Sequence, residues 1–271
     1  MNITPSGPVT SVFTPAAVQA MLSSAVLTSS IARAQDSFKT LIDSQEQSVV
    51  SFTGYGSAFM KKNKISPDAY VQMAIQLATF RLFGKNVGTY EATQVRPFRH
   101  GRTETTRSCS TASVRFCEAM GAVPSPSLTS TAAKTRAALL RQAAAAHGAY
   151  VKKAAKAKGC DRHMFGLAML LADDDHKPSL LSNPVYLRAK TWRVSTSHLT
   201  HSRFDNWGWG EVVPDGVGVA YSIHTNRCAF NVAARRDRNY SRPLGHYLEE
   251  ALLEMEEVIE GEGGEGGRSR L

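Results

Sequence analysis

The 271-residue sequence predicts an α/β fold with more helix than strand. Three observations carry this. Several long segments place apolar residues at helical spacing between recognisable caps. Two short segments alternate instead, Val217-Val219-Tyr221 and Cys228-Phe230-Val232, across the turn Thr225-Asn226, which reads as a β-hairpin. No internal repeat is present, so the chain is not a solenoid or propeller.

Residues 1–25 carry no charge and are rich in Ser, Thr, Pro and Ala, so they read as a loose lead-in. Ile31, Ala34, Phe38, Leu41 and Ile42 then recur at helical spacing, predicting a helix to about Gln47, and Val49, Val50 and Phe52 suggest a short strand before Gly54-Tyr55-Gly56. The next helix has the clearest ends: Ser66 as N-cap, Pro67 at the first position, Asp68 at the positive end of the dipole and Gly84 as the stop. Tyr90 to Thr106 follows, a stretch dense in hydroxyl and cationic side chains. On composition alone it suits a solvated loop as well as a ligand-facing segment. A helix is expected over 107–120, a loop at Pro124-Ser125-Pro126-Ser127, and an Ala-rich helix from Thr131 to Lys158. After Gly159 comes another apolar helix, DRHMFGLAMLLA, ending in the acidic loop Asp173-Asp174-Asp175. Residues 185–194 fit helix or strand. The last helix spans Leu244 to Ile259, and the Gly/Glu tail after it is too polar to pack.

Hydrophobic content of 42% suffices for one large domain or two small ones, and a formal charge of +9 favours an anionic partner: nucleic acid, an acidic membrane surface or a phosphorylated cofactor. Lys61, Lys62 and Lys64 form one basic cluster; Lys152, Lys153, Lys156 and Lys158 form another, read as a solvated helix face. Cys109, Cys117, Cys160 and Cys228 show no CxxC pairing, which argues against a zinc site or disulfide scaffold. No apolar run approaches the ~18 residues of a membrane span, and no secretory signal is visible. HExxH, GxSxG, GxxxxGK[ST] and GxGxxG are absent, which removes the common metalloprotease, hydrolase and nucleotide-loop readings. His198 and His201 lie three apart with no second ligand cluster, so no metal is expected.

Four segments remain with chemistry to offer. They are the Tyr90 stretch, Asp161-Arg162-His163 at the head of an apolar helix, Ser195-Thr196-Ser197 where a strand should leave the core, and Trp207-Gly208-Trp209-Gly210. An Arg beside Tyr and Thr hydroxyls makes a carboxylate clamp. An aromatic face attracts a quaternary ammonium. Together they suit a small zwitterion carrying both groups.

In this order the segments resemble the C-terminal half of the choline/carnitine acyltransferase family, over about Ser30 to Ile259. The residues that carry the resemblance are "KISPDAYVQMAIQLATFRLFGK…TYEA", "FRHGRTETTRS", "DRHMFGL", "STS" and "VVPDGVGVAY". The FRHG and GRTET wording is nearer the carnitine palmitoyl/octanoyl branch than choline acetyltransferase. The resemblance implies a chloramphenicol acetyltransferase-like lobe, a mixed sheet with many helices, spanning 26–260, with 261–271 as a disordered tail. It also implies an active-site tunnel through which an acyl group passes directly between coenzyme A, a cosubstrate, and the carnitine hydroxyl, with a histidine as general base and no bound cofactor or metal. Tyr90 and Thr103 match positions that hydrogen-bond the carnitine carboxylate, and Arg162 matches its counter-charge. Ser197 matches the last serine of STS, supporting the reacting oxygens. Trp209 falls at the aromatic near the trimethylammonium. Gly56 to Asp68 matches the coenzyme A site, with Lys61 and Lys64 toward its phosphates and Ser66 and Asp68 beside them.

The departures are equally specific. Ala92 replaces a carnitine-contacting Ser, His198 replaces Gln, and Gly148 stands where some members have a coenzyme-contacting Arg. Trp207 is bulky where long-chain members carry Gly, and restricts acyl length if it faces the tunnel. The family's catalytic His lies in its N-terminal half, outside this chain; His246 has Glu250 four residues on, but on a helix that is structural in the family. The expectation is a carnitine O-acyltransferase present as a fragment, inactive alone, with acyl-CoA and carnitine as ligands and the N-terminal lobe as a further partner. The alternatives are a coenzyme A- or carnitine-binding pseudoenzyme and, on charge alone and without a motif, a nucleic-acid binder. The ending Ser269-Arg270-Leu271 is a conservative variant of the SKL peroxisomal address, with the mitochondrion as the alternative location.

Overall fold

A computed structural model describes residues 14–124, 129–172 and 177–262. The chain divides into two compact units, one up to Ser44 and one from Gln45 onward. In the first unit the Thr14 hydroxyl accepts from Ala17 N at 3.2 Å, and Pro15 opens α1 (Pro15–Leu22). Helix α2 (Ala25–Ser44) follows. Residues read as a loose lead-in therefore include a capped helix. No single helix among the described residues is long and apolar enough to cross a membrane. Ser125, Pro126 and Ser127, the Asp173-Asp175 loop and Ser269-Arg270-Leu271 lie outside the described residues.

The second unit is built on a six-stranded mixed sheet in the order β1-β6-β5-β4-β2-β3. Strand β1 (Gln45–Phe52) begins where a helix end was expected. It pairs along its whole length with β6 (Cys228–Arg235), from Gln45 opposite Arg235 to Phe52 opposite Cys228, and this ladder overrides helix propensity at 45–47. After α3 (Ser57–Lys62), α4 (Pro67–Phe83) keeps its predicted ends: Ser66 Oγ accepts from Ala69 N, and Gly84 takes the left-handed conformation at φ 65°. The polar stretch proves to be a hairpin. Strand β2 (Thr89–Gln94) pairs antiparallel with β3 (Thr103–Arg107), Tyr90 facing Arg107 and Gln94 facing Thr103. Helix α5 consequently starts later than expected, at Thr111–Met120, fixed by a reciprocal Ser110/Ser113 capping box.

Helices α6 (Ser130–Ala154) and α7 (Asp161–Met169) occupy the expected places. The ambiguous residues 185–194 divide between two elements: after the short α8 (Ser179–Ser182), α9 (Pro184–Ala189) takes the first part, and β4 (Val194–His198) takes its start from the last. Strand β4 runs parallel to both β2 and β5 (Val217–Ile223), and β5 with β6 forms the predicted hairpin. Helix α10 (Ser241–Glu262) closes the fold and runs slightly into the expected tail.

The pleat sorts the sheet into two faces. Val194, Val217, Val219, Tyr221, Phe230 and Val232 point to one, where they form a continuous core with α4, α6 and α10 through residues such as Tyr70, Ile75, Leu140, Leu248 and Leu252. The register puts Tyr90, Ser195, Ser197, Gly218, Ala220 and Asn231 on the opposite face. That second face is poor in large apolar groups, and the chain uses it for polar contacts.

Candidate functional site

The polar face is organised from its edge strand inward. Arg107, at the end of β3, donates from Nη2 to Asp161 Oδ1 at 2.6 Å, from Nε to Asp161 Oδ2 at 3.0 Å and from Nη1 to the Ala189 carbonyl at 2.8 Å. Its guanidinium lies 4.6 Å from the Trp192 ring. This bidentate pair fixes the first residue of α7 against the sheet. The Glu104 carboxylate accepts from Thr105 N at 2.6 Å and Arg162 N at 3.3 Å, an anion at the positive end of α7. Gly159 is required here, because a Cβ would stand 2.6 Å from the Glu104 side chain.

Arg162 is thereby held over two strands. Its Nη2 donates to Tyr90 Oη at 2.9 Å and to Thr103 Oγ1 at 3.2 Å, and its Nε donates to the Thr103 carbonyl at 3.2 Å. The guanidinium carbon sits 5.7 Å from the Tyr90 ring. Three residues up to 72 positions apart in sequence thus meet. Arg162 is exposed and has no carboxylate partner among the described residues. A guanidinium fixed by neutral hydroxyls, with donors to spare, presents its charge to an anion from outside.

Ser197 and Trp209 share this face but do not join the trio by a hydrogen bond or ring contact among the described residues. Tyr90 is in register with Ser195 of β4, and Ser197 with Ala220 of β5. Ser197 is half-buried and its hydroxyl has no partner among the described residues. The Trp209 and Gly210 carbonyls press on β5 at Gly218, where a Cβ would come within 2.8 and 2.7 Å of them. The Trp209 ring lies 4.9 Å from that of Trp207. The aromatic loop lies over β5, and beyond it the face runs through the serine, tyrosine and threonine strands, about 4.8 Å apart.

The basic segment leads to the core side. A cavity of about 600 Å³ is lined by Lys64, Ser66 and Asp68 and, from α6, by Arg141, His147 and Lys152. Lys61 is exposed and not part of the lining, and Ser66 also caps α4. Lys152, read as solvated, contributes to the wall. The stripe Arg141, Ala145, Gly148, Lys152 recurs at helical spacing and was the signal for this wall. Gly148 has nothing within 4 Å of a built Cβ, so the place of a larger side chain is open.

Asp68 connects this cavity to a buried polar network that sequence reading missed. Tyr221 Oη donates to Asp68 Oδ1 at 2.7 Å, and Gln72 Nε2 donates to Tyr221 Oη at 2.8 Å and to Thr196 Oγ1 at 2.9 Å. Thr196 in turn donates to the Tyr90 carbonyl at 2.9 Å. Glu91 accepts from Ser108 Oγ at 3.2 Å and meets His147 Nε2 at 2.5 Å. Asp68, Glu91 and His147 offer ligand atoms within 4.8 Å of one another, the arrangement among the described residues best able to hold a cation. In this structure Glu91 and His147 bond each other instead. His198, the unexpected residue after Ser197, stacks on Tyr221 with ring centres 5.1 Å apart and places Nδ1 3.6 Å from Asp68; burial lowers its pKa despite that carboxylate.

Burial disfavours the imidazolium of His147, but the Glu91 carboxylate outweighs it and the His147 pKa is raised; burial also raises Glu91, so the two groups hold one proton between them. The histidine's stabilising contribution is complete below its ordinary pKa of about 6.5 and is lost as pH rises through the raised value. The thermal midpoint of the wild-type chain should therefore fall more steeply, as pH rises above the ordinary histidine pKa of about 6.5, than that of His147→Gln. Parallel curves would contradict the shared proton.

The family model described as Choline/Carnitine o-acyltransferase matches residues 5–250. Carnitine O-acetyltransferase, mitochondrial, of Saccharomyces cerevisiae is 38% identical over 238 residues, 86% of this chain and 34% of that protein. Carnitine O-acetyltransferase of Homo sapiens is 35% identical over 86% of this chain and 37% of its own length. Carnitine O-palmitoyltransferase 2, mitochondrial, of Mus musculus is 34% identical over 88% of this chain and 36% of its own length. The chain spans little more than a third of these relatives. Among solved structures, chloramphenicol acetyltransferase aligns with 77% of this chain and 88% of its own at 9% identity and a TM-score of 0.36. With the family model covering most of its length, the chain belongs to the choline/carnitine O-acyltransferase family.

Proposed function

We propose that the chain is the carnitine- and coenzyme A-holding portion of a carnitine O-acyltransferase. The convergence of Arg162 with Tyr90 and Thr103 carries this reading. The trio takes the carnitine carboxylate, the guanidinium supplying charge and the hydroxyls fixing orientation. Trp209 faces the trimethylammonium by cation–π attraction, and Ser197, on the strand between, donates to the reacting oxygens. On the core side Lys64, Ser66 and Asp68, with Arg141 and Lys152, receive coenzyme A, and Lys61 meets its phosphates at the rim. In the transfer the carnitine oxygen attacks the thioester carbonyl, its proton goes to a general base, and the coenzyme thiolate leaves and is reprotonated.

Three histidines with side-chain partners, His147, His198 and His246, are poorly placed for that base. His147 and His198 face the core side of the sheet, and His246 pairs with Glu250 on α10 at 3.1 Å. The base is accordingly assigned to the family's other lobe, and this chain to binding. Calorimetric titration of carnitine into the chain tests the assignment. Arg162→Ala should weaken binding about 10- to 100-fold, the loss of a charged hydrogen bond, and Thr103→Ala less. Equal affinity in wild type and Arg162→Ala, or acyl transfer by the isolated chain, would refute it.

The ending Ser269-Arg270-Leu271 supports a peroxisomal location, and the mitochondrial relatives support the alternative. Removing the last three residues should release a tagged chain from peroxisomes into the cytosol; mitochondrial signal unchanged by the deletion would favour the alternative.

A further inference from the structure

A second cavity, about 460 Å³, opens where β2 and β4 begin. It lies at the far end of α4 from the Lys64–Asp68 cavity, roughly 25 Å away along that 17-residue helix. The function proposed above makes no use of it. Its lining includes Lys85, Arg107, Arg188 and Arg193 against a single carboxylate, Asp215.

Two of these cations are committed elsewhere. Arg107 is bound to Asp161, and Arg193 pairs with the Asp215 carboxylate at 3.0 Å, donates to the Asp215 carbonyl and stacks 4.0 Å from the Phe83 ring. Lys85 and Arg188 have no carboxylate partner among the described residues. Asn86 also lines the cavity, its buried Nδ2 turned to the weakly accepting Cys117 sulfur. Trp192 supplies an aromatic wall. Cys109 also lines the space, but burial raises its thiol pKa, so the cavity is built for binding and not for thiolate chemistry.

We infer that this cavity is a binding site for a phosphoryl dianion. A flexible ammonium and a guanidinium without carboxylate partners, around one partly enclosed space, match the charge of a phosphate group. Arg107 and Arg193 raise the local potential without being consumed. The volume exceeds what a bare phosphate fills, and Trp192 stands ready to cover a planar substituent. The floor is also the back of the carboxylate clamp, since Arg107 holds Asp161 and the Trp192 ring lies 5.8 Å from that of Tyr90.

The test is calorimetric titration of the full chain at about 0.15 M ionic strength, with inorganic phosphate and with phenyl phosphate. Saturable binding is expected to persist in Lys61→Ala/Lys64→Ala, which removes the coenzyme A phosphate contacts proposed above, and to weaken at least about tenfold in the double variant Lys85→Ala/Arg188→Ala. Both pairs are exposed, so each variant should keep the wild-type thermal midpoint without ligand. Tighter binding of phenyl phosphate identifies a phosphate monoester as the ligand, and equal affinity identifies free phosphate. No saturation, or loss of binding in the Lys61/Lys64 variant but not in the Lys85/Arg188 variant, would overturn the inference.

Discussion

The parallel pairing of β2 with β4 is the constraint on which the rest depends. It sets Tyr90 beside Ser195 and Glu91 beside Thr196. Because successive side chains on a strand point to opposite faces, one step along β2 passes from the clamp to the buried network. A one-residue slip would send Glu91 to the polar face, put the Tyr90 ring in the core and break both arrangements. Three contacts lock the register: Thr196 to the Tyr90 carbonyl, Gln72 to Thr196, and Glu91 to His147.

The two faces solve different physical problems. Beneath the sheet, Glu91, His147 and Gln72 are almost wholly buried, where unpaired polar groups cost several kcal/mol each. Glu91 and His147 bond each other and Gln72 donates to Thr196 and Tyr221, while Gln72 Oε1 and His147 Nδ1 stay without a partner among the described residues. Above the sheet, Arg162 has hydroxyl partners and no anion, so its position is fixed while its charge is left for a ligand. The Arg107–Asp161 pair makes this possible by anchoring α7 at its first residue, one position before Arg162. The same Arg107 lines the second cavity, so a single side chain supports the Arg162 position and borders that cavity.

Much of the fold was legible in local chemistry. The Ser66-Pro67-Asp68 start and Gly84 stop of α4 were readable because capping is a local property, as was the β5–β6 hairpin with its alternating apolar residues. The β2–β3 hairpin was not, since Thr, Glu and Arg on an edge pair mimic a loop and their partners become visible only in the register. The limits of β1 and α5 followed from the same cause. At the site, Tyr90, Thr103 and Arg162 were named from motif words and the structure brings them together. The Glu91–His147 contact spans 56 positions and no spacing rule announces it. Lys152 looked like one of four solvated lysines; only the helical stripe with Arg141 and Gly148 sets it apart.

The central claim is that Arg162, Tyr90 and Thr103 receive a carboxylate on the polar face while the Lys64–Asp68 cavity serves the other substrate from the core side. A crystal structure of the chain soaked with carnitine tests it most directly. The account predicts the carnitine carboxylate within hydrogen-bond distance of Tyr90 Oη, Thr103 Oγ1 and the Arg162 guanidinium, with the trimethylammonium directed toward Trp209. Carnitine density in the Lys64–Asp68 cavity, or a trio left without ligand at saturating carnitine, would contradict it.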